Sequence, residues 1–121
     1  MNRTADPGGG RCPGARAAPG LSPAAALFHS LSDETRLRIL QTLARGEARV
    51  VDLTARLGLP QSTVSKHLAC LRGCGLVGYR AEGRQSFYSL TRPELMGLLA
   101  SAEELLAATG HTVTLCPEPV S

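Results

Sequence analysis

A chain of 121 residues with 43% hydrophobic side chains has room for one folded domain and one core. With two Phe, two Tyr and no Trp, that core rests on Leu, Val and Ala, and a domain so small gains from dimerisation. The net charge of +3 is unevenly spread: ten Lys/Arg oppose three acids from Arg36 to Arg92, while four Glu and no Lys or Arg follow from Pro93 onward. A basic middle of this kind suits a segment that faces a polyanion. There is no apolar run of about 18 residues to span a membrane and no apolar signal-peptide core, so a cytoplasmic protein with no membrane partner is expected. In a reducing compartment Cys12, Cys70, Cys74 and Cys116 are expected to be thiols or metal ligands rather than disulfides.

Residues 1–20 are rich in Gly and Pro and bury too little apolar surface to offset ordering, so they read as a flexible arm. Its Arg3, Arg11 and Arg16 either touch phosphate or are simply solvated. Ser22-Pro23 predicts the N-cap and first turn of a short helix through Leu27, Phe28 and Leu31. Ser32 is expected to cap a second helix, with Asp33 and Glu34 at its positive end, a stripe of Leu37, Leu40 and Leu43, and Gly46 as its stop. Val50, Leu53 and Leu57 predict a third helix ended by Gly58, and a fourth follows from about Gln61 to Cys74. Two short helices joined by a Gly-containing turn are the helix-turn-helix pattern, whose second helix enters the major groove. Residues 76–80 and 84–90 read as strands around Ala81-Glu82-Gly83, which makes a wing. Thr91 and Glu94 are expected to form a capping box opening a last helix, which carries an apolar stripe from Leu95 to Leu106 until Gly110 closes it. The predicted fold is therefore α+β, mostly α: a winged helix-turn-helix domain over residues 21–110, with its N- and C-terminal helices forming a dimer interface, followed by a tail over 111–121.

The segments Leu31 to Leu40, Gln61 to Leu68 and Tyr79 to Leu90 closely resemble the ArsR/SmtB family of metal-responsive repressors, over roughly residues 22–110. Within that family, Cys70-Leu71-Arg72-Gly73-Cys74-Gly75-Leu76-Val77 is similar to the cadmium- and lead-sensing CmtR group. The resemblance implies a homodimeric repressor that binds operator DNA and leaves it when metal binds. Two family sites have no counterpart: Val50-Val51-Asp52-Leu53 contains no Cys, and Pro93 to Thr109 contains neither His nor Asp. Their absence argues against the usual arsenite/cadmium and zinc/cobalt sites.

At 100° per residue Val64, Leu68 and Leu71 form the buried stripe of the fourth helix. Gln61, Ser62, Thr63 and Ser65, near its N-terminus, are the candidates for base or phosphate contacts in double-stranded operator DNA, with Lys66 on phosphate. Ser62 can also be a plain N-cap. Arg80 and Arg84 flank the wing turn, where they follow the backbone, enter the minor groove or stay solvated. His67, beside the stripe, reads as a packing or hydrogen-bonding residue.

Cys70 and Cys74 lie four apart, one turn from each other on one helix face, and can converge on a single ion. Two thiolates make a poor site. The resemblance implies Cys116 as a third, from a tail that reaches the partner's recognition helix, with Cys12 as runner-up. Three thiolates favour Cd(II) or Pb(II); As(III) also suits them, and Zn(II) would seek a fourth ligand such as His111 or water. The same cysteines also permit a redox- or arsenite-responsive repressor, although an i,i+4 pair sits near the upper limit of disulfide reach. A thiol enzyme would need a phosphate-cradling loop beside its nucleophile; none surrounds any Cys, so no catalytic residue is expected and the chain reads as a non-enzyme.

Overall fold

The computed structural model describes residues 20–116, in which the elements follow the predicted order. These are α1 (Ser22–Ser30), α2 (Glu34–Ala44), α3 (Val50–Leu57), α4 (Gln61–Gly73), β1 (Val77–Glu82), β2 (Gln85–Leu90) and α5 (Glu94–Ala108). The arm with Arg3, Arg11, Arg16 and Cys12, and the tail beyond Cys116, lie outside the described residues.

The core forms where the leucine stripes of four helices meet. Ile39, Leu40 and Leu43 from α2, Leu53 from α3, Val64, Leu68 and Leu71 from α4, and Leu95 and Leu99 from α5 are all buried in one cluster. Each helix needs this shared burial, because segments of 8 to 15 residues are marginal alone. The α5 stripe divides: Leu95 and Leu99 serve the chain's own core, whereas Leu105 is 68% exposed.

Three predicted caps are corrected as well. Leu21, not Ser22, caps α1, and Ser22 is the first helical residue with Pro23 behind it. At α2 the cap is Asp33, whose carboxylate accepts from the Arg36 N–H at 3.0 Å, while the Ser32 hydroxyl turns back to the His29 carbonyl at 2.7 Å. At α5 the capping box is absent: Pro93 is the N-cap, and the Thr91 hydroxyl donates instead to the Gly75 carbonyl at 2.7 Å. In the last two cases the hydroxyl donates to a backbone carbonyl that the folded turn brings near instead of capping its helix.

α3 and α4 are joined by Gly58, Leu59 and Pro60, with Gly58 at φ +69°, the left-handed conformation that ends a helix at least cost in glycine. The wing pairs β1 with β2 antiparallel from Val77↔Leu90 to Glu82↔Gln85, so its turn is Gly83-Arg84, one residue shorter than predicted and beginning two residues later. Ala48 adds a bridge to Tyr88 through two backbone hydrogen bonds of 3.0 and 2.8 Å, which fastens the wing to the segment leading into α3. No helix among the described residues is long and apolar enough to cross a membrane.

Candidate DNA interface and thiol site

The first turns of α4 present Gln61, Ser62, Ser65 and Lys66 to solvent, with Thr63 half-buried, because Val64 and Leu68 take the opposite face into the core. The cap is Pro60, which has no side chain to donate or accept, so Ser62 is not used as an N-cap and its hydroxyl is exposed. Between this end of α4, α3 and the wing lies a cleft of about 370 Å³, lined by Gln61, Arg84 and Gln85 together with Arg49 and Val50. The fold thus brings Gln61 and Arg84 to one opening.

The two wing arginines differ. Arg80 is held by Glu47 through two hydrogen bonds of 2.9 and 3.0 Å, and by Glu82 at 2.9 Å, with its guanidinium over the Phe87 ring. These partners raise the Arg80 pKa above its ordinary value and hold Glu47 below the usual carboxylate range. Arg84 and Lys66 form no ion pair among the described residues. Their charge is open to a phosphate, whereas Arg80 already has two carboxylates.

Arg49 was not legible as part of this surface. It caps α3, forks onto the Asp52 carboxylate at 3.0 and 3.1 Å, and donates to the Gln85 side chain at 3.1 Å. Its hydrogen bonds bring the Asp52 pKa down to about 2. The Arg49–Gln85 bond is a second tie between the wing and the helix-turn-helix.

At the other end of α4, Cys70 is buried and Cys74 is the half-exposed C-cap. Cys74 and Cys116 are free thiols, whereas Cys70 is disulfide-bonded, a departure from the expectation of thiols throughout. The Cys74 sulfur lies 2.6 Å from the Ser30 hydroxyl at the end of α1. Ser30 is fully buried, and its hydroxyl also reaches the Ala26 carbonyl at 3.2 Å. Beside it, buried Arg36 donates to the carbonyls of Ser30 and His29 at 2.8 and 3.0 Å and meets His67 Nδ1 at 3.2 Å. Burial lowers the His67 pKa against the opposing pull of Asp33, 3.8 Å away.

Cys116 is not beside these thiols. Its sulfur contacts the Met96 carbonyl at 3.6 Å, and its N–H, with that of Leu115, is accepted by Glu103 at 2.7 and 2.5 Å. Gln41 of α2 holds the same tail through the Thr114 and Leu115 carbonyls. Burial, and secondarily the Glu103 charge, push the Cys116 thiol pKa up. Among the described residues, no three His, Cys, Asp or Glu side chains of one chain converge where they could hold an ion.

A tight helix pair with an exposed polar second helix and a pinned β-hairpin beside it defines a winged helix-turn-helix DNA-binding protein. The family model for bacterial regulatory proteins of the ArsR family matches residues 33–79. Over 87 residues the chain is 45% identical to the HTH-type transcriptional regulator CmtR of Mycobacterium tuberculosis, spanning 72% of this chain and 74% of that one. It is 36% identical over 92 residues to a probable mercury resistance operon repressor of Streptomyces lividans, spanning 76% and 74%. Among solved structures, HlyU from Vibrio cholerae superposes with a TM-score of 0.62 at 38% identity, over 69% of this chain and 91% of that one. The chain belongs to the ArsR family, and is a DNA-binding transcriptional regulator rather than an enzyme.

Proposed function

We propose that the chain is a cytoplasmic, homodimeric repressor that holds double-stranded operator DNA in its metal-free form and releases it when Cys70, Cys74 and Cys116 bind a soft cation, Cd(II) or Pb(II). The observation that carries this reading is that Cys70 and Cys74 occupy the last turn and cap of the same helix whose first turns expose Gln61, Ser62, Ser65 and Lys66. A change at one end of a rigid helix is felt at the other. The name of one similar protein, a probable mercury resistance operon repressor, supports a thiophilic effector, as does the resemblance of Cys70 to Val77 to the CmtR group.

The donor set fits such an ion: thiolates prefer soft cations, and Cys74 is a half-exposed free thiol that a cation can reach. As(III) and Zn(II) are the other ions these thiols suit. A bound cation would supply a positive centre that draws deprotonated sulfurs together. Cys70 can contribute only in the reduced chain. Cys116 joins only when its tail leaves Glu103 and Gln41, and in a dimer its target is the partner's α4. Second-copy contact is supported by the exposed Leu21, Phe28 and Leu105, and by a mostly apolar hollow of about 380 Å³ between α1 and α5, lined by Leu27, Leu76, Leu95 and Leu98 with Arg92 and Glu94. In the DNA-bound form Gln61, Ser62, Thr63 and Ser65 contact bases or phosphate, while Lys66 and Arg84 neutralise phosphates, with Arg80 at the wing edge.

The test is operator binding by the reduced chain, followed by fluorescence anisotropy with and without Cd(II). The Cys70→Ser/Cys74→Ser variant is expected to bind the operator as the parent does, to lose at least tenfold of the Cd(II)-driven release, and to lose the ultraviolet thiolate-to-metal band. Allosteric couplings of ~1–3 kcal/mol make that loss readily measurable. Release by Cd(II) that survives the double substitution would overturn the sensor reading.

A further inference from the structure

Two part-buried links tie α4 to the last turn of α1, and they meet in one residue. The Cys74 sulfur at the α4 cap touches the Ser30 hydroxyl at 2.6 Å. The Ser30 carbonyl accepts from Arg36 Nε at 2.8 Å, and the same guanidinium meets His67 Nδ1 in the middle of α4 at 3.2 Å. Arg36 also grips the His29 carbonyl at 3.0 Å, so the end of α1 cannot shift without moving the guanidinium. Ser30 is fully buried and Arg36 is 8% exposed, so water does not readily stand in for either contact.

We propose that Ser30 is the positioning residue for the Cys74 sulfur, and that it carries any change at that sulfur through the end of α1 and Arg36 to His67 on the DNA-reading helix. This rests on the reading of Cys74 as a metal ligand.

The chemistry follows from donor counting. Between a Cys74 thiol and the Ser30 hydroxyl either atom can donate, and the Ser30 hydroxyl also donates to the Ala26 carbonyl at 3.2 Å. A ligating sulfur has given its proton to solvent and can only accept. Ser30 then becomes the donor, and its proton turns from Ala26 to the sulfur. Hydrogen bonds of this kind commonly fix the orientation of a ligand and tune its affinity. Here the donor is built into the helix terminus that Arg36 clamps. Replacing Ser30 by Ala removes the hydroxyl alone, because the carbonyl that Arg36 holds belongs to the backbone.

The experiment uses the reduced full-length chain with Cd(II) as the probe. The ¹⁵N resonances of Arg36 Nε and the His67 ring are followed by NMR, alongside the ultraviolet thiolate band and the ratio of operator affinities without and with Cd(II). In the parent chain Cd(II) is expected to form the band and move both side-chain resonances. In Ser30→Ala the band is expected still to form, while both shifts fall by more than half and the affinity ratio drops at least fivefold. Ser32→Ala is the control, because that hydroxyl donates to the His29 carbonyl in the same turn and touches no sulfur; its shifts and ratio should match the parent. Full shifts and an unchanged ratio in Ser30→Ala would overturn the relay while leaving the metal site standing. An equal loss in Ser32→Ala would also overturn it, by showing general loosening of the turn. Absence of the band in the parent would instead remove the ligation reading, and the relay with it.

Discussion

The first turns of α4 carry Gln61, Ser62, Ser65 and Lys66 in solvent, whereas its last turn is buried at Cys70 and tied at Cys74 to Ser30 of α1. One end is free to meet a partner, and the other is fastened to the rest of the chain. The difference follows from neighbours rather than from composition. Val64 and Leu68 of the N-terminal half enter the shared core, while the C-terminal end is tied to α1 through Cys74 and Ser30 and to the Leu76 turn through the Leu71 carbonyl. A helix so arranged can be read at one end and pushed at the other. The wing shows the same contrast on a smaller scale, with Arg80 committed to Glu47 and Glu82 and Arg84 uncommitted among the described residues.

The strongest way to break the contrast is to loosen the fastened end. Arg36→Met removes the buried guanidinium that donates to the Ser30 and His29 carbonyls and meets His67, and breaking up such a buried hydrogen-bonded group costs about 1–3 kcal/mol. Urea denaturation should show a loss of that order in stability, whereas Lys66→Ala, on the free end, should change it by less than about 0.5 kcal/mol. Equal effects would mean that the two ends do not differ in the way described.

A smaller effect sharpens the comparison within the DNA surface. Lys66→Ala and Arg84→Ala are each expected to reduce the slope of log affinity against log salt by about 0.9, the contribution of one phosphate contact. Arg80→Ala should reduce it by clearly less, since its charge is already balanced by two carboxylates. A slope change for Arg80 as large as that for Arg84 would show that DNA draws Arg80 away from Glu47.

The smallest effect concerns pH. Burial lowers the His67 pKa below its ordinary 6.5, with Arg36 and Lys66 adding to burial and Asp33 opposing it. The unfolded chain therefore takes up the proton first as pH falls. The stability owed to neutral His67 is complete above about pH 6.5 and declines as pH drops below that value toward the folded pKa. His67→Gln should flatten that acid-side decline in thermal melts between about pH 7 and 5. An unchanged profile would show that His67 titrates alike folded and unfolded.

Sequence alone determined the order of elements, the helix-turn-helix, the wing and the buried stripe of α4, because periodicity and Gly or Pro punctuation act over a few residues. Gly58 and the stripe of Val64, Leu68 and Leu71 are such local signals. Tertiary structure decided where the polar groups went. Ser32 and Thr91 can cap helices, yet their hydroxyls turned to the carbonyls of His29 and Gly75, which only the folded turns bring near. The stripe of α5 looked uniform in sequence, but packing took Leu95 and Leu99 inward and left Leu105 outside. Arg80 and Arg84 look equivalent until the fold sets Glu47 against one of them. Ser30 meets Cys74 across 44 positions of chain, and Arg36 meets His67 across 31. A hydrogen bond needs its two atoms within about 3 Å, and over such separations only the packing of whole helices brings them together.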